Sequence, residues 1–177
     1  MATAGCTPMS GAGGTLMGIK RRRPRILIAG LGNSLLQDDG VGVHAIRELQ
    51  KNPPRGVVVA EVGTAVLDAL HLFEWAERIL AIDAMQAGGQ AGDIYAWQVQ
   101  DEHGEETPVS LHELNLLAVL RFLPDLARPQ VLVLGAEPQT IDYGLELTPP
   151  LQKALPHIVD AAREITTLWR ETSGHDI

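Results

Sequence analysis

The sequence predicts an α/β fold in a single domain. Short β-rich apolar runs alternate along the chain with longer stretches of helical period. Runs 25–30, 78–83 and 130–135 are almost wholly apolar, as central strands covered on both faces require. Prolines and capping residues stand where the helical stretches should start and stop.

Strand 25–30 runs into residues 30–40, which read GLGNSLLQDDG. Glycines allow a tight backbone turn there. Two acids, Asp38 and Asp39, then arrive where a helix over 40–51 should begin. That helix stops before Pro53 and Pro54. A second strand is predicted over 56–62, and a second helix over 65–75 with Thr64 as its N-cap. The third strand, 78–83, ends in Asp83. Run 93–99 alternates more and contains Tyr95 and Trp97, which suits an edge strand. Two loops flank it: 86–92 with three glycines, and the polar, acidic stretch 100–109. Ser110 and Glu113 form a capping-box pattern that opens a helix over 111–123. After the fifth strand, 130–135, Thr148 and Pro149 supply an N-cap and an N1 proline for a last helix reaching about residue 170.

At 177 residues and 45% apolar content, the chain can build one full core. Aromatics are only 4%, so that core rests on Leu, Val, Ile and Ala. Residues 1–24 read as a flexible basic extension, 25–172 as the domain and 173–177 as a tail. The net charge of -8 is uneven, because five basic residues and no acid fall within the first 25 positions. A folded body this acidic is a poor nucleic-acid ligand. The lone Cys6 excludes an internal disulfide and any zinc site built on two or more cysteines, and it fits a reducing cytoplasm. No apolar run approaches the ~20 residues of a membrane span. The basic cluster before residue 26 is too weakly followed to be a twin-arginine signal.

Several chemistries are poorly supported. The glycine turn departs from a dinucleotide fingerprint, having Leu35 at its third glycine position and two acids that would repel pyrophosphate. Neither a P-loop nor a G-x-S-x-G elbow occurs. Three positions remain. Asp83 ends a central strand, where open α/β sheets place ligands. His112 sits in the first turn of a helix, where the peptide dipoles favour a neutral, metal-binding imidazole. Of Asp38 and Asp39, one is expected to cap the helix and the other to point into the crevice. Taken singly, each has a plain structural explanation.

Together, ILIAGLGNSLLQDDGVG over 26–42, Gly63 and Thr64, Asp83 after its apolar run, and Ser110, Leu111, His112, Glu113 and Leu114 resemble the hydrogenase maturation protease family. The resemblance runs from about residue 25 to 170. It implies a three-layer α/β/α sandwich with a twisted, mostly parallel sheet of about five strands. It also implies a cytoplasmic endopeptidase that removes a C-terminal peptide, after a basic residue, from the large-subunit precursor of a nickel–iron hydrogenase. The nickel would arrive with the substrate and be read by Asp39, Asp83 and His112, an O,O,N set that would also suit zinc. Asp39 and Asp83 are the implied catalytic acids, in either an aspartic-type or a metal-assisted mechanism. Many members carry Glu where Asp39 stands, a carboxylate about 1.5 Å longer in reach. Many also carry Asp-Gly-Gly-Thr where this chain has Glu61, Val62, Gly63 and Thr64, so a further catalytic acid there would be Glu61. Alternatively Glu61 is a strand-end residue paired with a lysine or arginine. The expected protein is a monomer with no nucleic-acid or membrane partner. The competing reading is a non-proteolytic, metal-dependent maturation checkpoint or chaperone of the same fold.

Overall fold

The computed structural model describes residues 22–99, 111–124 and 128–172, with the side chains of 111–115 outside that description. Residues 1–21 of the basic extension, the acidic stretch 100–109, Ser110 with its capping box, and the tail therefore lie outside the described residues. Five strands form one sheet: β1 (Ile26–Leu31), β2 (Val57–Gly63), β3 (Arg78–Ala84), β4 (Ile94–Gln98) and β5 (Gln130–Ala136). Their order is β2-β1-β3-β5-β4. All pairings are parallel except β4 with β5. The three apolar runs thus become the three inner strands. The alternating run becomes an edge strand, where only one face needs to be apolar.

Side-chain parity divides the core in two. Leu27, Ala29, Ile79, Ala81, Val131 and Val133 face α2 (Leu70–Trp75) and α3 (Leu111–Leu120), burying Phe73, Leu116 and Val119. Ile28, Leu80, Ile82 and Leu134 face α1 (Val41–Lys51) and α4 (Pro149–Thr172), burying Ile46, Leu49, Leu151 and Ile158. The result is the expected three-layer sandwich. Helix α1 lies unusually close to the sheet: a Cβ on Gly42 would stand 2.1 Å from the Ile82 carbonyl oxygen and 2.4 Å from that of Leu31. No helix among the described residues is long and apolar enough to cross a membrane.

Four expectations change. Residues 65–75 are not one α-helix, because a 3₁₀ turn (Val66–Ala69) precedes α2. Eclipsed i, i+3 positions in a 3₁₀ turn send Val66 and Ala69 into the core together. Thr64 makes no cap, since the residue before that turn is Ala65. Neither acid of the 30–40 segment caps α1; both lie in a 3₁₀ turn (Gln37–Gly40), and Gly40 occupies the N-cap position. Helix α3 ends at Leu120, three residues short of the predicted stop.

Candidate functional site

The order β2-β1-β3 reverses the direction of chain progression at β1. The crevice at the carboxyl ends of β1 and β3 is therefore the topological switch point, where open α/β sheets bind ligands. Both predicted acids stand there. Asp83 is the penultimate residue of β3 and is fully buried. Asp39 follows β1 through the glycine turn and is 8% exposed.

Gly32 and Asn33 lie between these two acids. The Asn33 amide donates to Asp39 Oδ2 at 2.8 Å. A Cβ on Gly32 would stand 3.5 Å from Asp83 Oδ1 and 1.8 Å from the Asp39 carbonyl oxygen. With φ at +102° as well, position 32 accepts only glycine. The backbone of the glycine turn is thus threaded between the acids, and the signature reflects steric closeness rather than phosphate binding. Asp83 Oδ1 also accepts the Ala84 amide at 2.9 Å. Burying two carboxylates at one crevice calls for donors or a cation, and oxygen donors of this kind suit a divalent ion.

His112 lies in the first turn of α3. Asp83 continues the parity of Ile79 and Ala81, so it belongs to the sheet face that α2 and α3 cover. The imidazole itself lies outside the described residues. Among the described residues no three His, Cys, Asp or Glu side chains group as a metal site.

Glu61 is occupied otherwise. Arg47 of α1 donates to both of its oxygens, at 3.1 and 3.0 Å. This ion pair is the alternative that the sequence left open for that position.

Two further buried acids, Asp38 and Glu137, brace the segments around the crevice. Asp38 is fully buried. Its Oδ2 accepts the amides of Gln139 and Thr140 at 2.9 and 3.2 Å and the Thr148 hydroxyl at 2.8 Å. Its Oδ1 accepts the Thr148 amide at 2.8 Å. It therefore joins the site turn to the segment leading into α4. Thr148 stands at the N-cap position before Pro149, its carbonyl accepting the Gln152 amide at 2.9 Å, and its hydroxyl also donates to Asp38. Glu137, just past β5, is buried and accepts the amides of Ala87 and Gly89 and the Tyr95 hydroxyl. Burial opposes its ionisation, but these donors prevail and hold its carboxyl below the usual range. Glu137 thereby shapes the glycine loop that follows Asp83. The adjacent pair Asp38-Asp39 was the visible hint in the sequence; nothing local marks Glu137.

A family model described as hydrogenase maturation protease matches residues 43–165. The hydrogenase expression/formation protein HupD of Bradyrhizobium diazoefficiens is 32% identical over 160 residues, spanning 84% of this chain and 81% of that protein. The hydrogenase 2 maturation protease of Escherichia coli K12 is 28% identical, spanning 79% and 92%. Among solved structures, the [NiFe] hydrogenase maturation protease HybD from Thermococcus kodakarensis superposes with a TM-score of 0.67 at 29% identity, covering 80% of this chain and 98% of its own. The hydrogenase maturating endopeptidase HybD from E. coli gives 0.68 at 23% identity, covering 84% and 93%, a likeness of fold.

Proposed function

The chain belongs to the hydrogenase maturation protease family, and from that premise we propose that Asp39, Asp83 and His112 grip a nickel ion carried by the precursor of a hydrogenase large subunit. The protein is a hydrolase, an endopeptidase of hydrogenase maturation. The observation that carries the nickel reading is the pair of buried carboxylates on either side of Gly32 at the switch point. Only a precursor already loaded with metal offers the coordinate bonds that dock it, so cleavage waits on metal insertion. The ion then places the scissile peptide bond against the same two carboxylates. In an aspartic-type step, one of them takes the proton of the attacking water. In a metal-assisted step, the substrate's ion polarises the carbonyl while the carboxylates hold it in place. The enzyme acts in the cytoplasm as a monomer.

The test is incubation with nickel-loaded large-subunit precursor, read by mass spectrometry of the released C-terminal peptide. Asp39→Asn, Asp83→Asn and His112→Ala should each slow release by about 100-fold or more, and nickel-free precursor should remain uncut. Unchanged processing by these variants overturns the site. Metal-dependent binding without cleavage by the unaltered protein would instead establish the checkpoint reading.

A further inference from the structure

Beside the crevice, large apolar side chains stand in water. Leu35 is 58% exposed, Ile141 45%, Tyr143 87% and Leu145 64%. They come from two distant segments that the backbone joins. Gly144 donates its amide to the Leu35 carbonyl at 3.0 Å and accepts the Gln37 amide at 2.9 Å, forming a parallel bridge between Leu36 and Gly144. In such a bridge, residues adjacent to the paired ones share a face, so Leu35 and Tyr143 project together. Residues 141, 143 and 145 alternate with Asp142, Gly144 and Glu146. Because Gly144 spends its backbone groups on the bridge, the Tyr143 carbonyl and the Leu145 amide fall on the opposite, outer edge.

The patch is held firmly. Asp38 fixes Gln139 and Thr140 before it and Thr148 after it. The turn it pairs with contains Gln37 at φ +47°, a left-handed conformation uncommon for glutamine. Exposed apolar side chains on a braced segment mark interaction surfaces more strongly than the same residues on a loose loop. Asp142 and Glu146 are exposed, and neither forms an ion pair among the described residues.

We propose that residues 141–146, with Leu35, receive an extended segment of the precursor that carries apolar side chains and at least one basic residue. The inference rests on the endopeptidase reading above and names the surface that holds its substrate beside the crevice. The outer edge at Tyr143 and Leu145 pairs with the incoming backbone, the alternate apolar side chains grip it, and Asp142 and Glu146 draw its cation. The occupant is a peptide segment because the patch, pinned by the single bridge at Gly144, is contiguous with the turn that carries Asp39 and sets exposed apolar side chains beside two exposed acids.

The experiment measures steady-state cleavage and, separately, equilibrium binding of nickel-loaded large-subunit precursor. Tyr143→Ser combined with Leu145→Ser should raise KM and weaken binding by about tenfold or more while kcat stays within about twofold. Asp142→Asn combined with Glu146→Gln should weaken binding less and flatten its dependence on salt. Phe122→Ser, an equally exposed apolar residue after α3 (77%), should change neither quantity. Wild-type KM and binding in the Tyr143, Leu145 variant overturn the docking surface while leaving the endopeptidase intact. Precursor that binds but is never cut by the unaltered protein overturns the endopeptidase reading, and the binding arm then still decides the surface. Precursor that neither binds nor is cut overturns both.

Discussion

Asp38 and Asp39 are neighbours with identical side chains, yet their carboxylates serve opposite sides of one turn. Asp39 sits at the crevice beside Gly32. Asp38 turns inward and satisfies four donors from residues 139–148. Removing a buried acceptor leaves its donors unsatisfied at a cost of one to three kcal/mol or so each, partly relieved by entering water. Asp38→Ala should therefore lower unfolding stability by about 3–5 kcal/mol in urea titration. The prominence of both acids was legible in the sequence, and so was the crevice position of Asp39. The partners of Asp38 were not, because they lie about a hundred residues away and donate mostly from the backbone. Glu137 was invisible for a similar reason: two of its donors are amides of a glycine loop, which carry no side-chain signature.

Helix α1 shows what the glycines of the 30–42 segment do beyond the turn. Gly42 brings the helix backbone against the ends of β1 and β3. Its would-be Cβ meets carbonyl oxygens, which cannot swing aside as a side chain would. Gly42→Ala should push α1 off the sheet, lower the thermal midpoint, cost about 3 kcal/mol, and displace the turn bearing Asp39. Calorimetry checks the first effect and precursor cleavage the second; wild-type values in both would contradict the packing account. The inner strands were legible because an apolar residue is needed on both faces at every position. The 3₁₀ turn before α2 was not, because the i, i+3 burial of Val66 and Ala69 mimics the start of an α-helix. The break between these forms is decided by where the sheet lies, which local sequence does not contain.

Across the whole molecule, acids tie separate segments together, and this gives stability a pH signature. Backbone hydrogen bonding from Arg25, aided by the nearby Arg22 charge, holds the Glu77 carboxyl below its usual range. Glu137 is lowered as well. A group whose folded pKa is depressed contributes stability above its unfolded value and loses it as pH falls through the folded value. Burial and the Glu137 carboxylate raise the Tyr95 phenol, so its contribution is full below the usual phenol range and disappears as pH rises through the raised value. Thermal midpoints should therefore fall on both the acid and the alkaline side of a neutral plateau. Glu137→Gln should shrink the acid-side fall, and Tyr95→Phe the alkaline one. An unchanged profile in both variants would contradict these assignments. The Asp38 contacts have a further consequence, for the order of events during synthesis. A ribosome that has just finished β3 has made both crevice acids, but Gln139, Thr140 and Thr148 do not yet exist. The turn bearing Asp39 gains its anchor only once most of the chain has emerged, so the crevice takes its final form among the last events of synthesis.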